Sequence, residues 1–555
     1  MSQVNLIISG CKGTGDDQSR YDGGMARMTP INRALNLIPK RAEQRQAEHL
    51  RNTFEDSGVA VALESIDHQV LYGRRGTGKT HALRYLQTLI GDDGGIPIYI
   101  DLRNVGSPEG LFAGEEIPVT ERAARLLVDL LAQFHDGLFK LILEDDQLIA
   151  EGQFVEKLDA LSDCLSKVRV IGEVEVAQEG ERKDLDRDTA EVSGQLSKGL
   201  TAGVKAGSEV SREMRDLAKE TRRGTERRDL NFRDVALALR ELADTLPGRR
   251  VWILLDEWSS IPPDVQPYLG EFLVRCVLPL PRFTVKIAAI EQQTRFRTTL
   301  SSGAVIGIEL GADVTANVDL DEFMVFEQNE QKARSFFQGL LFKHLTYGVD
   351  AGEVPVELYS ETDVIRHGFT DKRAFDELVR AAEGVPRDAI NIASRAATRS
   401  LDRKISVADV RQAARAWYQA DKEMALSRDD AKQLLIWIID QVIKQKRARG
   451  FMVNQKATRA QLLLALFDAR VLHVVKRGYS AQDEPGERYD VYVIDYGAYV
   501  DLIHTRYEPL GVLPLFDDEE DNDIYVDVPT QDLRALRRAV LDVDEFIAAH
   551  ALPAG

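Results

Sequence analysis

Residues 73–80 have the types and the spacing of a loop that binds the phosphates of a nucleotide. Gly73, Gly78, Lys79 and Thr80 occupy the fixed positions of the pattern G-x-x-x-x-G-K-[ST]. The glycines allow backbone N–H groups to point inward, and a helix that begins here adds a positive partial charge. The Lys79 ammonium would reach the β- and γ-phosphates, and the Thr80 hydroxyl would ligate Mg²⁺.

The residues around this pattern favour the same interpretation. Val70, Leu71 and Tyr72 predict a short buried strand before the glycines, and Leu83 and Leu86 predict a packed helix after them. A chance glycine-rich turn is the alternative, and the full pattern in this context disfavours it. We therefore predict that a nucleoside triphosphate binds here with Mg²⁺. The predicted nucleotide-binding residues are Gly73, Arg74, Arg75, Gly76, Thr77, Gly78, Lys79, Thr80 and His81.

Two adjacent carboxylates end a second apolar stretch. Residues 251–255 read VWILL and predict a buried strand, and Asp256 and Glu257 follow it directly. Asp256 would hold Mg²⁺ through its water shell, opposite Thr80, and Glu257 would orient and deprotonate the attacking water. Because ligands bind at the carboxyl ends of parallel strands, we expect both segments to meet in one crevice. The alternative is that the two acids lie in an exposed turn.

The composition limits the classes of protein that the chain could belong to. Its 555 residues imply two to four domains. The formal net charge of −19 means that any DNA contact needs a local basic patch. Three widely spaced cysteines, Cys11, Cys164 and Cys276, predict neither a disulfide framework nor a zinc site. No apolar run is long enough to span a bilayer, so we expect a cytoplasmic protein without a membrane partner.

The pattern along the chain predicts an α/β fold with a parallel sheet flanked by helices. Residues 1–30 are rich in Gly, Asp and Ser and predict a flexible N-terminus. Residues 31–320 would form the core, because apolar strands at 96–102 and 283–290 alternate with helical stretches. Residues 171–230 are a charged insertion, either a solvated segment or an arm that contacts a partner or DNA.

These motifs together resemble AAA+ ATPases, in particular the origin recognition complex branch and related bacterial ATPases. Residues 384–387, Gly-Val-Pro-Arg, resemble the second sensor motif of that family's helical lid. The resemblance covers about residues 35–420 without the insertion. It implies an α-helical lid at 321–420, in which Arg387 contacts the γ-phosphate and couples hydrolysis to lid movement.

The sequence departs from this family at two places. The first-sensor asparagine is not evident, and Gln292 or Gln293 stands in that region. Arg295 and Arg297 are the candidates for an arginine finger that acts on a neighbouring subunit, with surface salt bridges as the alternative role. A homo-oligomer therefore remains one open prediction.

Residues 429–508 predict a C-terminal winged-helix-like domain, which the origin-recognition branch also carries after its lid. Helices at 429–446 and 457–469 precede a predicted hairpin of 471–475 with 489–494. The basic residues that could contact DNA phosphates are Lys456, Arg459, Arg470, Lys476 and Arg477. The acidic stretch 482–487 opposes such contact, so DNA and protein remain equal alternatives. Residues 509–555 predict an acidic tail with a closing helix at 531–549.

The leading hypothesis is an ATPase switch that remodels or regulates a nucleic-acid or protein complex. The resemblance allows replication, mobile-element control or phage defence as its setting. The alternative is a nucleotide-gated oligomerising scaffold for signalling that does not bind DNA directly. A third possibility is an adaptor that holds ATP with little turnover. We recognise no nuclease, protease or deaminase motif, so an effector activity would need a partner protein.

Overall fold

The computed structural model describes most of the chain. The described residues are 28–40, 47–106, 117–145, 153–166, 168–171, 225–228, 230–246, 248–323, 330–347, 357–426, 428–445, 448–457, 461–480, 486–504 and 539–550. Residues 1–27 of the predicted flexible N-terminus, residues 172–224 of the predicted insertion, and residues 509–538 and 551–555 of the predicted tail lie outside the described residues. None of the described helices is long and apolar enough to cross a membrane.

Five parallel strands form the central sheet. They are β1 (Gln69–Tyr72), β2 (Ile96–Asp101), β3 (Val251–Asp256), β4 (Phe283–Ala289) and β5 (Thr315–Asp319). Their order across the sheet is β2-β3-β4-β1-β5, and all neighbouring pairs are parallel. The continuous apolar runs arise because helices cover both faces of a parallel sheet. The predicted α/β class with a parallel sheet flanked by helices is confirmed.

Alternate residues of the strands pack against helices on opposite faces of the sheet. The helices before and between these strands are α1 (Pro30–Leu37), α2 (Ala47–Thr53), α3 (Ala60–Leu63), α4 (Lys79–Asp92), α5 (Val119–Leu143), α6 (Gln153–Ser166), α7 (Phe232–Asp244) and α8 (Gln266–Phe272, extended by a π-helical turn to Val277). Leu71 and Leu254 join one apolar cluster with α3 and α4. Val70 and Ile253 join the other cluster with α5, α6, α7 and α8.

Two short two-stranded antiparallel sheets accompany this sheet. Val168–Ile171 pairs with Thr225–Arg228 at the two ends of the predicted insertion. Arg297–Thr299 pairs with Val305–Gly307 after β4.

A group of helices follows the sheet, and we call this group the lid. It contains α9 (Leu320–Phe323), α10 (Glu330–Tyr347), α11 (Thr362–Gly368), α12 (Lys372–Ala381), α13 (Pro386–Ser400) and α14 (Val407–Trp417), with a π-helical segment Tyr418–Glu423. Ser406 and Asp409 form a capping box that starts α14. The N-terminal helix α1 also packs here, since Asn32 Nδ2 donates to the carbonyls of Leu401 and Arg403 at 2.9 Å. Tertiary contact therefore groups α1 with the lid, although the sequence places it before the core.

The C-terminal domain, residues 428–550 as far as described, combines a four-stranded sheet with helices. It contains α15 (Asp429–Ile439), β6 (Gly450–Asn454), α16 (Gln461–Asp468), β7 (Leu472–Ser480), β8 (Arg488–Ile494), α17 (Tyr496–His504), β9 (Val540–Leu541) and α18 (Val543–Ala549). A π-helical segment Asp440–Gln445 extends α15. The sheet order is β7-β8-β6-β9, and β7 and β8 form an antiparallel hairpin. One continuous apolar cluster joins the lid and this domain, with Leu378 and Val410 on one side and Ile438 and Val471 on the other. The lid and the C-terminal domain therefore pack as one unit.

Candidate functional site

The glycine loop, residues 73–80, connects β1 to the start of α4. Gly76 and Gly78 adopt φ values of 90° and 101°, which a residue with a Cβ adopts only with strain. Lys79 Nζ donates to the carbonyl oxygens of Gly73 at 2.7 Å and Arg74 at 2.9 Å. Two of its three N–H groups are thus used within the loop, which holds the ammonium at the start of α4.

The electrostatic surroundings of Lys79 are mixed. Burial lowers the pKa of Lys79, and the nearby carboxylates of Glu257 and Asp321 act in the opposite direction. A further anion beside Lys79 would favour its charged form. The loop is therefore suited to a ligand that carries negative charge.

The predicted pair of carboxylates stands at the carboxyl end of β3. Asp256 is fully buried. Its Oδ2 accepts from the Tyr99 hydroxyl at 2.6 Å, and its Oδ1 accepts from the backbone N–H of Glu257 at 2.8 Å. Glu257 has φ of 57°, a left-handed conformation that costs energy for a residue other than glycine and is found at functional sites. Burial raises the pKa of Glu257, and the charge of Asp256 raises it further. A carboxylate with a raised pKa accepts a proton more readily, as a general base must.

A cavity of about 400 Å³ lies between the glycine loop, the end of β3 and the lid. This volume falls within the range that small-molecule ligands occupy. The predicted residues in its wall are Arg75, Gly76, Gly78, Lys79, Thr80, His81, Glu257 and Arg387. Gly73, Arg74, Thr77 and Asp256 do not line this cavity. The structure therefore brings most of the predicted site residues together, and places the remaining ones behind them.

The lid touches the glycine loop directly at the start of α13. The backbone N–H of Arg387 donates to the Gly76 carbonyl at 3.2 Å. A Cβ on Gly76 would lie 2.9 Å from Arg387 Cβ and 3.1 Å from Val385 Cγ1, so only glycine allows this approach. Because Arg387 also lines the cavity, the predicted lid arginine and the glycine loop form one wall.

The two glutamines after β4, which are the candidates for a first-sensor residue, line different parts of the structure. Gln293 lines the cavity, together with Ser259, Ser260 and Ile290. Gln292 lines a second cleft, of about 1090 Å³, between this region and the C-terminal domain. Of the two candidates for a first-sensor residue, Gln293 is therefore the one that reaches the site.

Part of the cavity wall comes from helices that the sequence pattern does not connect with it. Leu50 on α2, Leu340 on α10 and Ile390 on α13 are apolar, and His49 and His344 lie among them. Apolar and aromatic side chains with a few polar groups are the usual environment of a planar heterocycle. No sequence motif identifies these residues as part of one site, because they lie on three helices that are far apart in the sequence.

Tyr99 and Arg103 are two further site residues that the sequence analysis did not single out. Tyr99 lies on β2 beside β3, and its ring is covered by the Arg84 guanidinium 3.4 Å from the ring centroid. Arg103 lines the cavity, and its Nη1 lies 3.8 Å from Glu257 Oε1. A tyrosine in an otherwise apolar strand was the available signal for Tyr99, but its partner follows only from the register of β2 and β3.

The basic residues predicted to contact DNA differ in their exposure and in their ion pairs. Arg470 is buried and pairs with Asp388 at 2.6 Å, because the connection before β7 faces the lid. Arg477 forms ion pairs with Glu291 and Asp319 of the core. Lys456 and Lys476 are exposed.

Arg459 lies outside the described residues. Arg470 and Arg477 hold the C-terminal domain against the rest of the chain, which leaves fewer exposed cations than the sequence suggests.

Within the described part of the chain, no three or more His, Cys, Asp or Glu side chains form a group that could hold a metal ion. Thr80 in the cavity wall and Asp256 behind it supply two oxygen donors. This set suits Mg²⁺, which keeps several waters and is commonly bound by one or two protein ligands plus substrate phosphates. Comparison with models of known protein families found no match to the chain, and comparison with curated proteins also found none.

Proposed function

We propose that the chain is a Mg²⁺-dependent ATPase of the AAA+ type. The observation that carries this proposal is the cavity in which Lys79, Thr80, Glu257 and Arg387 share one wall. A lysine at a helix start, a hydroxyl, a carboxylate with a raised pKa and a lid arginine are the groups that phosphoryl transfer to water requires. They come from three distant parts of the sequence, so their meeting is not a consequence of local pattern.

Each residue has a role that its position supports. The backbone N–H groups of the loop and the third N–H of Lys79 would bind the β- and γ-phosphates. Thr80 and Asp256 would hold Mg²⁺, which neutralises charge on the phosphate oxygens. Glu257 would accept the proton of the attacking water, which its raised pKa supports. Arg387 would stabilise charge on the γ-phosphate from the lid.

The architecture supports the resemblance to AAA+ proteins in three ways. A P-loop-like parallel sheet precedes a helical lid, the lid arginine contacts the glycine loop, and a domain with a β7–β8 hairpin follows. We propose that this last domain is a winged-helix variant. Gln293 would take the first-sensor position, since it lines the cavity. Arg295 and Arg297 are exposed, so either one could reach a neighbouring subunit in a homo-oligomer.

The C-terminal domain bears on which partner the ATPase acts on. A switch that acts on a nucleic-acid or protein complex remains the leading proposal, in a setting such as phage defence. The inward ion pairs of Arg470 and Arg477 favour the second candidate, a nucleotide-gated oligomerising scaffold that does not bind DNA. ATP turnover and sedimentation, measured with and without duplex DNA, distinguish them. Turnover that DNA stimulates would favour the first candidate, and ATP-dependent assembly that DNA does not change would favour the second.

Hydrolysis of ATP by the purified chain tests the proposed activity. We expect Mg²⁺-dependent release of phosphate by the parent protein. The substitution Glu257→Gln should reduce turnover about 100-fold or more while ATP binding is retained, since it removes the general base. The exposed Glu64 provides the matched control Glu64→Gln, which should leave turnover unchanged. Equal turnover in the parent and the Glu257→Gln variant would contradict the proposal.

A further inference from the structure

The side chain of Arg74 connects the glycine loop to the C-terminal domain. Arg74 is 2% exposed. Its Nε donates to Asp321 Oδ1 at 2.7 Å, and its Nη2 donates to the carbonyl of Glu383 at 3.1 Å. Its Nη1 donates to Nδ1 of His473 on β7. A loop residue at a variable position of the phosphate-binding pattern thus reaches a strand about 400 residues further along the chain.

The hydrogen bonds of His473 define its protonation state. A guanidinium is a donor only, so Nδ1 of His473 must accept and the proton of the neutral ring lies on Nε2. Nε2 donates to Asp495 Oδ2 at 2.9 Å. Burial and then the charge of Arg74 lower the pKa of His473 to about 3. His473 is therefore a neutral bridge between a cation and an anion.

The contacts continue from Asp495 into the lid. Lys422 Nζ lies 2.5 Å from Asp495 Oδ2 and 2.8 Å from Asp388 Oδ2. Asp388 belongs to the first turn of α13 and directly follows Arg387 in the sequence. We call Arg74, His473, Asp495, Lys422 and Asp388 the buried polar network.

The buried polar network begins in the glycine loop and ends beside a residue that contacts the same loop. It leaves the loop at Arg74, passes through the C-terminal domain and ends at Asp388 in the lid. Arg387, the residue before Asp388, contacts the loop through its backbone hydrogen bond to the Gly76 carbonyl. A shift of the lid relative to the loop must therefore stretch or repack contacts inside the C-terminal domain.

The charges within the network are mutually dependent. Burial alone would raise the pKa of Asp388, but the charges of Lys422 and Arg470 outweigh it and hold the pKa below its usual range. Burial also opposes the charge of Lys422, but Asp388 and Asp495 raise its pKa. Each ion is stable in the interior only while its neighbours stay in place. Such a network has few alternative arrangements, which suits it to hold one geometry.

We infer that the C-terminal domain positions the glycine loop and the start of α13 for nucleotide binding through this network, with His473 as a positioning residue. The inference rests on the proposed function, because it concerns the same nucleotide site. It goes beyond that function by assigning to the C-terminal domain a part in building the site. The domain then responds to nucleotide, because coupling between two sites is reciprocal.

A pair of variants separates positioning from simple attachment of the domain. Arg415 on α14 also pairs with the C-terminal domain, at 2.7 Å from Asp501 on α17, and this pair is not part of the buried polar network. The substitution His473→Leu should weaken binding of a fluorescent ATP analogue about tenfold, a usual size for coupling between sites. Arg415→Leu should leave the affinity unchanged. His473→Gln should restore most of it, because an amide can accept from Arg74 and donate to Asp495.

Hydrogen exchange of the parent protein tests the same inference without any substitution. At saturating non-hydrolysable ATP, the backbone amides of 472–475 on β7 should exchange about tenfold more slowly, by reciprocity of the coupling. The amides of α6 serve as the internal reference. The inference is overturned if the parent binds ATP but exchange on β7 is unchanged, or if His473→Leu binds as tightly as Arg415→Leu. A parent protein that binds no ATP would instead overturn the proposed function, and this inference with it.

Discussion

Replacing Lys422 with methionine should strongly destabilise the lid and the C-terminal domain. Lys422, Asp388 and Asp495 have side-chain exposures of 1%, 0% and 1%. Methionine keeps the apolar stem and removes the ammonium, which leaves two buried carboxylates without their shared partner. Breaking a buried ion pair in this way costs about 3–5 kcal/mol. We expect the lower part of that range, because Arg470 still pairs with Asp388 and His473 still donates to Asp495.

Calorimetry measures this cost as a shift in the unfolding temperature. For a folded unit of roughly 150–250 residues, 1 kcal/mol corresponds to about 2–4 °C, so a cost of about 3–4 kcal/mol should lower the unfolding temperature by roughly 6–16 °C. The matched control is Lys432→Met. Lys432 is 49% exposed and lies 3.6 Å from Asp429, which is 93% exposed. Exposed pairs contribute little, so the control should shift by less than about 2 °C.

The pH dependence provides a second test of the same substitution. In the parent protein, the pKa of Lys422 is higher in the folded state than in the unfolded state. This difference stabilises the folded protein at every pH below the unfolded-state pKa, and the stabilisation is lost only as the pH rises through the folded-state pKa. The pKa values of Asp388 and Asp495 are lower in the folded state than in the unfolded state. They therefore stabilise the folded protein above the unfolded-state pKa of about 4, and this stabilisation is lost as the pH falls through the folded-state pKa values. In the Lys422→Met variant, burial is opposed only by Arg470 at Asp388 and by His473 at Asp495, so the pKa values of both carboxylates rise and protonation relieves their burial. The difference between parent and variant should therefore shrink from pH 7 to pH 4. Equal unfolding temperatures, or a difference that does not change with pH, would refute this reasoning.

Two further substitutions test the site itself. Tyr99→Phe removes the hydroxyl that donates to Asp256 at 2.6 Å, so the Mg²⁺ concentration for half-maximal ATP turnover should rise about tenfold, as for other partners that orient a metal ligand. Gly76→Ala places a Cβ 2.9 Å from Arg387 Cβ at a φ of 90°, so ATP affinity should fall about tenfold or more as the lid is pushed from the glycine loop.

Each of these substitutions has a control elsewhere in the chain. Tyr85→Phe removes a hydroxyl from a ring that stacks on Phe54, and it should leave the Mg²⁺ requirement unchanged. Gly94→Ala creates the same backbone strain at a φ of 75° with no atom within 4 Å of the new Cβ, so it should lower stability slightly and leave ATP affinity intact. If each substitution and its control behaved alike, the assigned contacts would have no specific part in the site.

The local geometry of the candidate site was predictable from the sequence because it depends on short spacings between residues. The glycine loop needs its glycines, Lys79 and Thr80 within one short segment, and the strand before it is marked by apolar residues. Asp256 and Glu257 were predictable for a similar reason, since carboxylates directly follow an apolar strand. Parallel strands then bring both segments to the same edge of the sheet.

The non-local parts could not be predicted, because burial and partner choice depend on tertiary packing. Arg470 and Arg477 carry charge in a predicted hairpin region, and the sequence does not reveal that they face Asp388 and Glu291. Arg74 occupies a variable position of the loop pattern, yet its side chain is buried. Its partner His473 is separated from it by 399 residues. No local periodicity carries information over that distance.

Titration calorimetry with ATP and Mg²⁺ tests the central claim most directly. The parent protein should bind one ATP per chain. Lys79→Ala should weaken binding at least about 100-fold, because the proposed phosphate ligand is the only lysine of the glycine loop. Lys432→Ala, at an exposed lysine of α15, should bind like the parent. If Lys79→Ala bound ATP as tightly as the parent, the nucleotide would not lie in this loop, and the account of the site would be wrong.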